Sequence, residues 1–172
     1  MMIKESSWIW NQFSSFRFEE INPIINIGSS TWYFRSVVQP FINRNIFLSL
    51  QERGLSVDHL DLKDAEGVNI VWDLSDKDFL KKLEQKHYSF ALCSNVLEHL
   101  VDRAIVTNAI SDILGSGWFL LVTVPYVYPY HKDPIDNQFR PNIQQLASLF
   151  PSFQLIDGQI IKERESLFMG LE

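Results

Sequence analysis

The chain has a single cysteine, no glycine-rich fingerprint, no long apolar run and a deficit of positive charge. Cys93 lies inside the apolar run FALC, so an internal disulfide is excluded and a packed thiol in a reducing compartment is the natural assignment. The seven glycines form no GxGxxG, no Walker loop and no GxSxG, which removes the phosphate-binding turn of nicotinamide and flavin sites and the nucleophile elbow of serine hydrolases. No stretch approaches the roughly 20 apolar residues of a membrane helix, and the opening MMIKESSWIWNQF lacks the apolar core and cleavage site of a signal peptide. A cytoplasmic protein without membrane partners is expected. With 15 Lys and Arg against 21 Asp and Glu, and a formal charge of −6, nucleic acid is not an expected partner.

What is abundant is core material: 46% of the residues are hydrophobic and 13% aromatic, enough for one continuous domain over 1–172. Its core is placed at about residues 22–161, and Leu171 and Glu172 read as a cloning remnant. Apolar runs suited to strands occur at Ile24–Ile27, Ser56–Leu62, Val68–Trp72, Phe90–Cys93 and Trp118–Val124. Between them lie helical stretches: Thr31–Gln39 up to Pro40, Asn45–Arg53 stopped by Gly54, a helix capped by Asp76 with Phe79, Leu80 and Leu83 inward, and one capped by Asp102 with Ile105, Ala109, Ile110, Ile113 and Leu114 inward. Met1–Asn22 is a helix or irregular segment at the domain edge. Strands alternating with such helices predict an α/β fold, a Rossmann-like doubly wound and mostly parallel sheet. A helix over Asn142–Phe150 and a turn at Asp157-Gly158 would close it, with a truncated hairpin as one option and a bare edge as the other. Oligomeric state is open, a homodimer included.

The polar residues cluster where the strands stop. Gly28 follows the first strand in PIINIGSSTW; Asp61 ends the second, with Asp58 and Asp64 as rivals; Asp73 ends the third; and Ser94 and Asn95 end the fourth, just before LEHL. In open α/β sheets that edge is the ligand-binding edge.

The order of these pieces resembles a class I S-adenosylmethionine-dependent methyltransferase across about Asn22 to Phe153. The resemblance implies S-adenosylmethionine as cofactor, held by Asn26, Gly28, Ser29 and Ser30 at the first turn, by Asp61 on the ribose hydroxyls, by Asp73 with the backbone of Leu74 at the adenine edge, and by Asn95 beside the methionine end. The chain departs from the family pattern in having Asn26 where an acid is common and serines where further glycines stand. In the small-RNA 2′-O-methyltransferase and ubiquinone O-methyltransferase branches, a Glu-His pair within this motif binds a divalent metal with a second Glu three residues earlier. Asn95 takes that place here, so no metal is assigned, and Glu98 and His99 are expected to orient the loop or line the pocket.

The segment PYVYPYHKDPIDNQFRP, Pro125 to Pro141, has the length and composition of a binding loop. Tyr128 and Lys132 have YxxxK spacing, but Pro129 and Pro134 deny them the helix that pair requires. By the same resemblance, His131 would remove a proton from the acceptor, Asp136 would orient it, and Arg140 would hold a substrate anion or fix Asp136. An Asp136–Arg140 bridge that only staples the loop is the alternative. The expected activity is methyl transfer to an oxygen or nitrogen atom of a small-molecule or glycan acceptor. A methyltransferase-like scaffold without catalysis is the rival, and its mark would be a pocket plugged beside Gly28 by Trp32, Tyr33 or Tyr126.

Overall fold

The computed structural model describes residues 1–73, 76–130 and 135–162. Five strands, β1 (Ile24–Ile27), β2 (Val57–Asp61), β3 (Ile70–Val71), β4 (Phe90–Ser94) and β5 (Phe119–Thr123), form one sheet in the order β3-β2-β1-β4-β5. Every neighbouring pair is parallel. The chain is therefore the doubly wound, Rossmann-like α/β fold that the strand and helix alternation predicts. Ile24 is paired with Val57 on one side and Phe90 on the other, which makes β1 the centre. The order reverses direction between β1 and β4, and there the carboxyl ends of the strands open a crevice.

The two-residue period of the strands divides the core into two layers. Ile24, Phe90, Leu92 and Leu121 face one side, where they meet Ile9 and Phe13 of α1 (Ile3–Ser14) together with Ile42, Ile46 and Leu50. Ile25, Ile27, Ala91 and Cys93 face the other, against Leu80 and Leu83 of α4 (Lys77–Glu84) and Val106, Ala109, Ile110 and Ile113 of α5 (Arg103–Leu114). Asp76 caps α4 by accepting from the amides of Asp78 and Phe79, and Asp102 caps α5 through the Ala104 amide, as expected of acids ahead of an apolar helical run.

Three expectations are corrected and one left open is decided. The segment after β1 is not two plain α-helices: π turns at Phe34–Val38 and Asn43–Phe47 alternate with short α-helices α2 (Pro40–Ile42) and α3 (Leu48–Gln51). Gln39, ahead of Pro40, leaves the helical basin at φ −127°, ψ 69°, as the proline ring behind it demands. Ile105 is exposed, because Val106, Ala109, Ile110, Ile113 and Leu114 already complete the apolar stripe and Ile105 stands one residue off it. The helix after Asn142 is α6 (Ile143–Ala147), shorter than expected, although Asn142 and Gln145 do form a capping box. Finally, residues 154–162 add no strand; Asp157 turns its side chain onto the Gly158 amide, and Leu155, Ile156 and Ile160 stay exposed, so the sheet ends at five strands among the described residues.

Candidate functional site

The end of β1 delivers a turn held under strain. Gly28 has φ +68°, and a Cβ there would run into the side chain of Val96, so glycine is required by the approach of the segment after β4. Ser30 adopts φ +55°, an uncommon basin for serine, and its amide donates to Asp61 Oδ2 at 2.7 Å. Three further amides are engaged: Ser29 N on Leu60 O, Trp32 N on Glu66 O, and Phe34 N on Thr31 Oγ1. Four amides of this turn therefore already have protein acceptors, unlike those of a dinucleotide turn, which point at the pyrophosphate.

Beneath the turn lies Arg35, which sequence reasoning missed. It is buried, and its guanidinium donates to Ser29 O at 2.7 Å, Ser30 O at 2.6 Å and Gly67 O at 2.7 Å. Burial lowers its pKa to about 10, opposed by the charge of Asp61, so it remains a cation at neutral pH. The only sequence signal was a basic residue inside an otherwise apolar helical stretch.

Asp61 stands at the carboxyl end of β2, its Oδ1 accepting from the Lys63 amide. Its two rivals are set apart. Asp58 is turned to the amino-terminal part of the strand, where it accepts from Lys86 Nζ at 2.7 Å and Tyr88 Oη at 2.5 Å, and Asp64 is exposed. Asp73 follows β3 at the rim of the same cleft, and Leu74 lies outside the described residues.

Asn26 bonds laterally, its amide donating to His59 Nδ1 at 3.0 Å. That contact requires the neutral ring, with its proton on Nε2. Burial and then the positive charge of Arg35 lower the His59 pKa to about 3, against the pull of Asp58. A histidine depressed this far binds no proton in the folded chain while the unfolded chain binds one below pH 6.5, so stability falls as pH drops through that window. His59→Gln, which keeps an acceptor for Asn26, is expected to remove about 2 kcal/mol of the stability lost between pH 7 and pH 5, read from urea unfolding at both values.

At β4 and β5 the same α1-facing side carries Ser94 and Thr123. Asn95, at φ +53°, turns its amide toward them. All three converge on one atom, Oε1 of Glu5 from α1: Thr123 Oγ1 at 2.6 Å, Asn95 Nδ2 at 2.7 Å and Ser94 Oγ at 3.3 Å. Glu5 was not foreseen, since nothing local relates a residue of the first helix to the ends of two strands about 90 and 120 positions later. Cys93, fully buried, has its thiol pKa pushed up to about 12 by burial and by Glu98, which excludes a nucleophilic role.

Glu98 and His99 follow in a short 3₁₀ turn. Glu98 is buried, its carboxyl raised by burial and by Glu5 against the opposing charges of His99 and Arg140, and its Oε2 has no hydrogen-bond partner among the described residues. His99 Nδ1 meets Ile135 O at 2.6 Å. Among the described residues no group of three or more His, Cys, Asp or Glu is placed to hold a metal.

Residues 135–141 are pinned to this corner by Asn137, whose amide nitrogen donates to Glu98 O. His131 lies outside the described residues. Asp136 is buried and accepts from Arg140 Nη2 at 2.6 Å and from the Gln138 amide at 2.8 Å. Asp136 and Arg140 are thus joined as a buried ion pair within the loop. Arg140→Met is expected to lose about 3 kcal/mol by removing the counter-charge of a buried carboxylate, and Arg140→Met with Asp136→Asn to lose less than that, a cycle measured by chemical denaturation.

An open cleft runs from these strand ends along β5 to the segment 154–162. Trp32, Tyr33 and Tyr126 are exposed and do not plug it. No described helix is long and apolar enough to cross a membrane. No family model matches the chain, and no curated protein matches it either.

Proposed function

We propose that this chain transfers a methyl group from S-adenosylmethionine to an oxygen or nitrogen atom of a small-molecule or glycan acceptor. The observation that carries this is the setting of Asp61: a carboxylate at the ligand-binding edge, beside a turn four of whose amides already have protein acceptors. A carboxylate at that place suits the paired hydroxyls of a ribose, and a turn with those amides occupied disfavours a pyrophosphate. A nucleoside cofactor without phosphate meets both conditions.

When bound, S-adenosylmethionine supplies a methyl group activated by its sulfonium, so the protein's task is mainly alignment. Asp61 retains acceptor capacity beyond its bonds to Ser30 and Lys63, because a carboxylate offers about four lone-pair sites. Arg35 fixes the turn that Asp61 grips, Asp73 is assigned to the adenine amine, and Asn95 borders the methionine end. Proton removal from the acceptor is assigned to His131, with Asp136 and Arg140 shaping the wall beside it. A non-catalytic binding domain of the same fold is favoured by one feature, the occupation of the β4 and β5 donors by Glu5.

Calorimetry with S-adenosylmethionine, S-adenosylhomocysteine and NAD, with and without divalent metal, tests the proposal. Micromolar binding of the first two and none of NAD is the expected result. A well-folded chain that binds neither would overturn the enzyme and leave the binding domain.

A further inference from the structure

Two short donors, Thr123 Oγ1 and Asn95 Nδ2, meet on a single oxygen, with the Ser94 hydroxyl behind them at 2.7 Å from Thr123 Oγ1, a polar cluster larger than a helix anchor needs. Ser94, Asn95 and Thr123 come from two adjacent strands, and Asn95 holds a left-handed backbone while its amide reaches Glu5 Oε1. The Glu5 carboxylate lines the cleft, and its other oxygen accepts from the Met2 amide at the start of its own helix. A carboxylate seated on such donors is a good mimic of an anionic ligand group.

We propose that Ser94, Asn95 and Thr123 form a carboxylate-binding subsite, and that Glu5 of α1 fills it as a tethered competitor for the carboxylate of a small-molecule ligand. Tethering gives Glu5 a local concentration that a free ligand must exceed, so apparent affinity for such a ligand is reduced while α1 is docked. The subsite stands independently of the proposed methyl transfer. The ligand carboxylate has two possible sources, the aminoacyl end of the cofactor or the acceptor.

Acetate is the probe. In Glu5→Ala, acetate is expected to raise the melting temperature toward that of the wild type, with acetamide and chloride without effect and wild type little changed. Adding Thr123→Val is expected to abolish the response. If Glu5→Ala does not fold, Glu5→Gln serves, since a neutral amide competes less well and acetate should still stabilise it in a Thr123-dependent way. Absence of a carboxylate-specific response in a folded variant overturns the subsite.

The source follows from a second arm. If Glu5→Ala tightens S-adenosylhomocysteine by about tenfold but leaves 5′-methylthioadenosine unchanged, the carboxylate is the cofactor's. If neither changes and acetate still binds with cofactor present, it is the acceptor's. If neither nucleoside binds at all but acetate does, the methyl-transfer proposal fails and the subsite survives.

Discussion

Asp61→Ala is expected to weaken S-adenosylhomocysteine binding by about 100-fold, the loss of roughly 3 kcal/mol carried by charge-assisted bonds to two hydroxyls. Part of that loss is indirect. Without the carboxylate, the Ser30 amide has no acceptor, and the φ +55° conformation it helps maintain has one support fewer. Asp61→Asn separates the two effects, since its amide oxygen still accepts from Ser30 while the charge is gone. Titration calorimetry on both variants, beside Asp58→Asn as a control bound to Lys86 and Tyr88, is the check. Equal loss for Asp58→Asn, or none for Asp61→Ala, would remove Asp61 from the site.

Arg35→Met is expected to be the most damaging change to the fold near the site, at about 3 kcal/mol or more. Three carbonyls, of Ser29, Ser30 and Gly67, would lose their donor inside a packed layer where Phe47 also covers the guanidinium at 5.6 Å. Arg35→Lys should recover little, because one ammonium cannot reproduce a planar fork reaching two segments of chain. Urea unfolding gives the number, and a Met variant within about 1 kcal/mol of wild type would show that water replaces the guanidinium at little loss. The same variant should bind S-adenosylhomocysteine more weakly, since Arg35 ties the turn after β1 to the loop before β3.

These two residues mark the limit of what the sequence discloses. Asp61 was legible because an acid closing an alternating run is a local pattern, and the Asp76 and Asp102 caps were legible for the same reason. The sheet followed from strand spacing and the right-handed crossover rule. Arg35 and Glu5 were not legible, since each acts on partners fixed only by the finished topology: Arg35 on the backbone of two loops, Glu5 on the ends of β4 and β5. The Asp157-Gly158 turn left two outcomes open, a hairpin or a bare edge. A turn dipeptide proposes a hairpin, but a hairpin forms only where its strands have a face to bury, and Leu155, Ile156 and Ile160 are left exposed. Asn26 was read as a cofactor residue from its position, and its amide is in fact directed along the sheet to His59.

The stacking of α1 on the sheet also bears on synthesis. Phe13 lies 4.6 Å from Phe90 and Phe16 lies 4.3 Å from Phe119, ring centre to ring centre. The helix α1 therefore docks on rings from strands that leave the ribosome about 75 to 105 residues after it. Until β4 is out, Phe13 and Phe16 lack the Phe90 ring, and until β5 is out Phe16 also lacks Phe119, so the nascent chain carries an incompletely covered aromatic helix. Chaperone contact during translation should accordingly concentrate on α1, fall as Phe90 clears the exit tunnel and end once Phe119 does.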